Sequence, residues 1–294
     1  MNYMNLSLAW MGALNMALAL SGCTNGIETG LSAPEGIPVT VFAEISPVTK
    51  SGEAVSSDNS FDRTSFLSGD QIKVTRTKKA SGTAAPQSAS YRYDGTSAWT
   101  VVGTSPVTLE PAVTYSAQFP ADYSAINQFQ TTSTAYLASN LLKTGDATSS
   151  DGTLNFTSSG KPFTHVNSKL TLKFTVNRET TIANDAVSVA AAGIRVSTNQ
   201  TITLYRPYPG DASRKYEWCG ILRAVGGSMG TSVTDLTVSL TCDGVTYKAT
   251  LTGCALRTGY HYTYNLTLHN DMLIPESCTI GKWTDEIMAG GNLT

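Results

Sequence analysis

Three histidines and five cysteines are the residues of this 294-residue chain best suited to chemistry, and their spacing decides which chemistry is open. His261 and His269 stand eight residues apart on one alternating stretch. At about 3.3 Å per strand residue that is roughly 26 Å, too far for a shared metal, and both are read as exposed polar residues. His165, in Phe163-Thr164-His165, has neither a nucleophile elbow nor paired carboxylates beside it and is read as a hydrogen-bonded structural imidazole. Cys219, Cys242, Cys254 and Cys278 all fall in the last third without the Cys-x-x-Cys spacing of a zinc or redox site. Four cysteines in an exported chain permit disulfides in three pairings, and spacing does not choose among them. The run Gly226-Gly227-Ser228-Met229-Gly230 lacks the lysine and following helix of a phosphate loop and reads as a turn. Trp99, Trp218, Tyr91, Tyr93, Tyr205 and Tyr208 are read as core or cross-strand aromatics ahead of a sugar-stacking platform. No metal, no cofactor and no enzymatic activity is expected.

The fifth cysteine has a different setting. Residues 6–20 are an apolar stretch interrupted only by Ser7 and Asn15, shorter than a spanning helix but suited to a signal peptide. It runs into Leu20-Ser21-Gly22-Cys23, which resembles a bacterial lipobox: residues 1–22 would be cut away and the Cys23 thiol acylated, with palmitate among the chains carried. The n-region departs from the pattern in lacking Lys and Arg. Residues 23–35 read as a lipidated tether.

The elements that follow are strands. Charged residues make up only 14% of the chain, and 20 Lys and Arg against 22 Asp and Glu leave a net charge of −2. Without a basic run the electrostatic footprint of a nucleic-acid binder is missing. Ile37, Val39, Val41, Ala43 and Ile45 are apolar at every second position, which predicts a first strand over residues 36–46 with one buried face. A Ser/Gly-rich loop over residues 47–59 follows. Residues 66–74 read as a turn feeding a strand, residues 91–102 as a hairpin through Asp94-Gly95, and residues 113–120 as a strand stopped by proline. A short helix is expected over residues 136–143. Leu236, Val238, Leu240 and Cys242 meet an Asp243-Gly244 turn and then Val245, Tyr247, Ala249 and Leu251. A two-residue loop there opposes 242 with 245, 240 with 247, 238 with 249 and 236 with 251, placing all eight on one face. The same parity puts Cys254 on the opposite face if the strand runs on unbroken. The pattern is all-β: two β-sandwich domains, over residues 36–160 and 161–294, broken near Ser158-Ser159-Gly160.

The order of these features resembles the fimbrillin family, subunits of type V pili of Gram-negative surfaces. The carrying residues are the Leu20-Ser21-Gly22-Cys23 lipobox, the first strand with its Thr49-Lys50 loop, and Phe66-Leu67-Ser68-Gly69-Asp70-Gln71-Ile72-Lys73-Val74. Tyr115-Ser116-Ala117-Gln118-Phe119-Pro120, Phe163-Thr164-His165-Val166-Asn167-Ser168-Lys169-Leu170 and Thr279-Ile280-Gly281-Lys282-Trp283 complete the series over nearly the whole chain. The resemblance implies two transthyretin-like sandwiches and a lipid-anchored precursor on the cell outer membrane that passes into an extracellular fimbrium used in adhesion. It also implies partners: a trypsin-like maturation protease, and other fimbrillin subunits in a homo- or hetero-polymer. On this model the first strand, with Ile37, Val39, Val41 and Ile45 filling a groove, is removed, and a C-terminal segment of another subunit replaces it.

Two sites follow from that resemblance. The maturation cut is expected after Lys50, in an extended loop just beyond the strand that must leave, with Arg63 as the rival although Asp62 beside it would hinder an acidic specificity pocket. The donor strand is expected in residues 274–288, through Ile274, Ile280, Trp283, Ile287 and Met288, which follow a long strand and are interrupted by Pro275 so that the segment can separate from it; the alternative is that Ile280 and Trp283 form an ordinary last strand of the second sandwich. The alternative to a stalk or accessory pilus subunit is a surface lipoprotein that binds glycans and does not polymerise.

Overall fold

The computed structural model describes residues 36–46, 63–77, 85–177, 180–195, 199–224, 234–283 and 287–288. Cys23, Lys50 and the glycine run at 226–230 lie outside them. In the first half, alternating apolar residues build β1 (Thr40–Ala43), β2 (Gln71–Arg76), β3 (Gln87–Tyr93), β4 (Trp99–Val101) and β5 (Tyr115–Phe119). The helix α1 (Ser133–Ser139), single among the described residues, is followed by β6 (Leu142–Lys143), β7 (Thr153–Phe156) and β8 (Thr164–His165). The second half holds β9 (Ser168–Val176), β10 (Val187–Ala192), β11 (Asn199–Thr203), β12 (Glu217–Leu222), β13 (Thr234–Cys242), β14 (Val245–Cys254), β15 (Tyr260–His269), β16 (Met272–Lys282) and β17 (Ile287–Met288).

The helix lies three residues earlier than expected. Thr132 caps it, its hydroxyl accepting the Ala135 N–H at 3.2 Å, and residues 142–143 are claimed instead by pairing with β5 and β8. Capping chemistry sets one end and a sheet the other.

Residues 36–294 form one compact unit with two main apolar cores. The larger lies between a five-stranded sheet, β12-β9-β15-β16-β17, and a four-stranded sheet, β11-β10-β13-β14. Leu170, Leu172, Tyr262, Tyr264 and Leu266 from the first meet Val187, Val189, Val238, Leu240 and Leu251 from the second, as face-to-face sheets require. The β13–β14 hairpin has the register predicted from its turn, Cys242 opposite Val245 through Leu236 opposite Leu251. Asp243 and Gly244 take the two positive φ angles, 51° and 77°, that a type I′ turn needs. Two details differ from expectation. Val245 is 50% exposed, because the hairpin tip projects past the core. Cys254 is buried: register slips between Leu236–Leu251 and Thr234–Cys254, and the extra residue is taken up around Gly253 at φ +64°, whose N–H donates to Asp235 at 2.8 Å. That bulge reverses the parity of the strand end.

The smaller core has an unequal pair of layers. One is a six-stranded sheet, β4-β3-β2-β5-β6-β8; the other is only β1 paired in parallel with β7. Val41 from β1 and Leu154 and Phe156 from β7 cover Ile72, Val74, Tyr91, Tyr115 and Phe119 of the large sheet. The first strand is thus half of a two-stranded layer.

Candidate functional site

The seat of the first strand is the arrangement from which function can be argued. Val39, Val41 and Ile45 are buried, Val41 to 2% exposure, whereas Ile37 is 64% exposed. The expected four-residue face therefore begins at Val39: the Ile37 backbone is bonded to Leu109, but its side chain faces solvent. Burial of the three that remain stabilises the seated strand by about 4.5–9 kcal/mol as an upper bound.

Backbone hydrogen bonds hold the strand on both edges. Toward β7, Thr40 to Ala43 pair with Thr153 to Phe156, and the ladder is extended by Thr40 N–H to Gly152 O at 2.8 Å and Glu44 N–H to Phe156 O at 3.0 Å. Beyond the ladder, Phe163 N–H donates to Glu44 O at 2.9 Å and Ser46 N–H to Phe163 O at 2.8 Å. On the other edge Val39 N–H donates to Val107 O at 3.0 Å, and Leu109 N–H to Ile37 O at 2.7 Å. Removing the strand would leave both rows of partners open and an apolar trough between them.

The 107–109 side is fixed by side chains. Tyr91 Oη accepts the Val107 N–H at 3.1 Å, and Tyr115 Oη accepts the Glu110 N–H at 2.8 Å. Buried Arg76 donates to Thr108 O and Oγ1 at 3.1 and 2.8 Å, while Gln87 Oε1 accepts the Thr108 N–H at 3.0 Å. This edge keeps its shape because the large sheet, and not the first strand alone, supports it. Tyr91→Phe is expected to cost about 1–2 kcal/mol, since a buried N–H loses its acceptor; urea unfolding checks it, and an unchanged midpoint would show that Val107 is held by other means. Of these supporting residues the sequence marks Tyr91 and Tyr115 only as aromatics on strands, and Arg76, Gln87, Val107 and Thr108 not at all. Their signal is weak, because Val107 and Leu109 alternate over only three residues and Leu154 and Phe156 over three.

Arg63 is 11% exposed at its side chain and forms an ion pair with Asp70, Nη2 to Oδ1 at 3.1 Å, near the Phe119 ring. Burial pushes the Asp70 carboxyl above its ordinary range, against the Leu67 N–H bond and the Arg63 charge, which lower it. A protease pocket would have to pull this guanidinium off its partner.

At the other end of the chain, Ile274 and Ile280 lie inside β16, paired with β15 from Met272 to Lys282. Pro275 does not separate the segment from its neighbour as expected. It sits within the strand opposite Leu266, and a bulge at residue 276, where Asn265 faces Ser277, absorbs it. Trp283 is buried against Tyr136, Cys219 and Ile221. Ile287 belongs to β17, which is held only by the pairs Ile280–Met288 and Gly281–Ile287.

Trp283 also stacks on His165, ring centroids 3.8 Å apart and planes nearly parallel. His165 is buried, with Nδ1 2.9 Å from Asn140 Oδ1, and desolvation, helped by the Lys169 charge, pushes its pKa down to about 3. It is the structural imidazole expected. His269 is exposed as expected, but His261 is not a free surface residue: its Nε2 lies 2.8 Å from Thr171 Oγ1, and burial with the Lys169 and Lys173 charges holds its pKa well below the usual value. Trp218 and Tyr91 are core and Tyr93 stacks on Trp99, in keeping with the aromatic reading. Among the described residues, no group of three His, Cys, Asp or Glu is placed to hold a metal, and no helix is long and apolar enough to cross a membrane.

A sandwich that completes its second layer with its own first strand, and buries His165 against Trp283, has the architecture of a structural β-protein. The chain belongs to the fimbrillin-like family, whose pattern matches residues 48–283. That is a family of structural, non-catalytic proteins, which accounts for chemistry-bearing residues spent on the core. No curated protein matches the chain. Among solved structures, a candidate cell adhesion protein of Bacteroides ovatus is similar over 87% of this chain and 99% of its own, with a TM-score of 0.55 at 16% identity. A candidate cell adhesion protein of Bacteroides uniformis covers 86% of this chain and all of its own, with a TM-score of 0.53 at 14% identity. At these identities the likeness is one of fold.

Proposed function

We propose that the chain is a stalk or accessory subunit of a type V-like surface fimbria, assembled by protease-triggered strand exchange and used in adhesion. In this reading residues 1–22 direct export, Cys23 carries the lipid that holds the precursor on the outer membrane, and two transthyretin-like domains occupy residues 36–160 and 161–294. The protease cuts after Lys50, the first strand leaves with Val39, Val41 and Ile45, and a neighbouring subunit's C-terminal segment enters the seat. The observation that carries the proposal is that, among the described residues, β1 is one of two strands in its layer, paired with β7 and preceded by bonds from Ile37 and Val39 to the 107–109 edge, and that the basic Lys50 stands a few positions on in the sequence. Arg63 is the less suitable bond, being paired with Asp70. The likeness to candidate cell adhesion proteins supports adhesion and a surface location.

Within the donor segment, residues 274–288, exchange starts from the Ile287 end, since residues up to Lys282 form a long ladder with β15. Removing residues 284–294 is expected to abolish filaments and leave the fold intact, whereas removing residues 274–294 should also destabilise the second sandwich by several kcal/mol through loss of Cys278, Ile280 and Trp283 from packing. Negative-stain microscopy and urea unfolding read the two effects; filaments from the shorter truncation would place the donor elsewhere.

The direct test is N-terminal sequencing of protein sheared from cells. Subunits beginning at Ser51, absent in Lys50→Ala, support the proposal. A terminus at Thr64 moves the cut to Arg63, and retention of residues 24–50 in the sheared protein favours the non-polymerising, glycan-binding lipoprotein.

A further inference from the structure

Four cysteines allow three pairings, and the tertiary structure brings two of them to one point. Cys254 ends β14 in the four-stranded sheet, and Cys278 lies in β16 of the five-stranded sheet, directly opposite Tyr264 on β15. Cys254 Sγ is 3.1 Å from Tyr264 Oη, and the Cys278 thiol, across from Tyr264 in the ladder, lies close enough to interact with the same hydroxyl. Two sulfurs that share one oxygen lie within about 7 Å of each other.

The strands agree with the side chains. Tyr247 Oη donates to Asp271 at 3.3 Å, and these residues stand seven positions before Cys254 and Cys278 respectively. Each interval contains one bulge, at Gly253 and at residue 276, so β14 and β16 advance together along the closed corner of the sandwich, with Cα atoms approaching within 8 Å. The bulge at Gly253 turns Cys254 inward. The other two cysteines are elsewhere. Cys219 packs with Trp283 on the outer side of its sheet, 3.5 Å from Thr171 Oγ1. Cys242 sits at the β13–β14 tip, 3.0 Å from Thr180 Oγ1.

We propose that Cys254 and Cys278 are a disulfide site that joins the two sheets of the second sandwich once the chain meets an oxidising compartment. The oxidant is a small-molecule or protein disulfide. One cysteine, as thiolate, attacks a sulfur of that disulfide and expels one thiolate; the second attacks the protein-side sulfur of the mixed disulfide and expels the other. Two S–H bonds are replaced by one S–S bond, the two electrons reduce the reagent, and its two thiolates take up the two protons. Burial raises both thiols above their ordinary pKa, so closure belongs to the folding chain more than to the finished one.

The full chain, reduced and denatured, is refolded with oxidised and reduced glutathione, quenched in acid, alkylated and cut with trypsin. Each of the four cysteines falls on its own tryptic peptide, with Cys254 in residues 249–257 and Cys278 in residues 258–282. These two peptides are expected to be linked and to separate on treatment with dithiothreitol, which should also lower the Tm of the intact protein by roughly 5–10 °C. In Cys254→Ser the Tm should ignore dithiothreitol. Recovery of both peptides alkylated or glutathionylated, linkage to the peptides of Cys219 or Cys242, or a parent Tm indifferent to dithiothreitol would each overturn the site. None of these readouts depends on whether the chain polymerises.

Discussion

A chain cut after Lys50 and stripped of its first strand is expected to lose up to about 4.5–9 kcal/mol from its first sandwich, the transfer free energy of Val39, Val41 and Ile45. Single domains are stable by only about 5–15 kcal/mol, so the loss is comparable with the whole. The remainder should bind an apolar dye, show a lower urea midpoint for this half, and recover both properties when a synthetic peptide of residues 36–46 is added. The recovery discriminates between a seat and simple damage. Edges held from the large sheet by Tyr91, Arg76 and Gln87 stay in place for a returning strand, whereas a collapsed core would not accept one. The same peptide with Val41→Asp should fail, because a carboxylate entering that trough has neither water nor a partner. If the cut protein unfolds at the same urea concentration as the intact chain, β1 is not the strand that holds this core together.

The second large effect is a dependence of stability on pH. His165 has a folded pKa of about 3 against an ordinary value of 6.5, so the unfolded chain takes up a proton that the folded chain refuses. Its stabilising contribution is therefore fully present above pH 6.5 and is lost as pH falls toward 3, at about 1.4 kcal/mol per pH unit. His261, also held well below its ordinary value, acts with the same sign. Asp94, Asp151 and Asp211 are lowered from 3.8 by hydrogen bonds, so the stability they contribute is lost mainly below pH 4.5. Between pH 6.5 and 4.5 the urea-derived stability should fall by about 2 kcal/mol through His165, with His261 adding a loss of the same sign. His165→Gln, which keeps a hydrogen-bonding group toward Asn140, should remove one such share of the slope. A variant with the parent's slope would show that His165 is protonated in the fold despite its stack on Trp283.

The first strand illustrates how far local pattern reaches. Its alternation marked Val39, Val41 and Ile45 as one buried face, because a period of two in apolar residues follows directly from the pleat of a strand. It could not show that the Ile37 side chain stays in solvent, nor that the partner is β7, with Thr40 opposite Thr153. Nothing in a short window encodes a pairing across such a separation; it is settled by which edge closes the core once the intervening chain has folded.

The β13–β14 hairpin marks the same border inside a single element. The alternation and the Asp243-Gly244 turn determined four pairs of its register, since turn geometry and face together leave no other choice. The bulge that turns Cys254 inward was decided by Asp235 catching the Gly253 N–H and by the core beneath it. In the same way the sequence by itself determined a mostly β chain with few charges and a buried first strand. Only the tertiary structure decided that β9 runs parallel to β15, that β16 absorbs Pro275, that Trp283 stacks on His165, and that Cys254 and Cys278 meet at Tyr264. The physical reason is range. Periodicity and turn chemistry act over a few residues, while sheet order and core contacts are chosen by the free energy of burying surfaces that are distant in the chain.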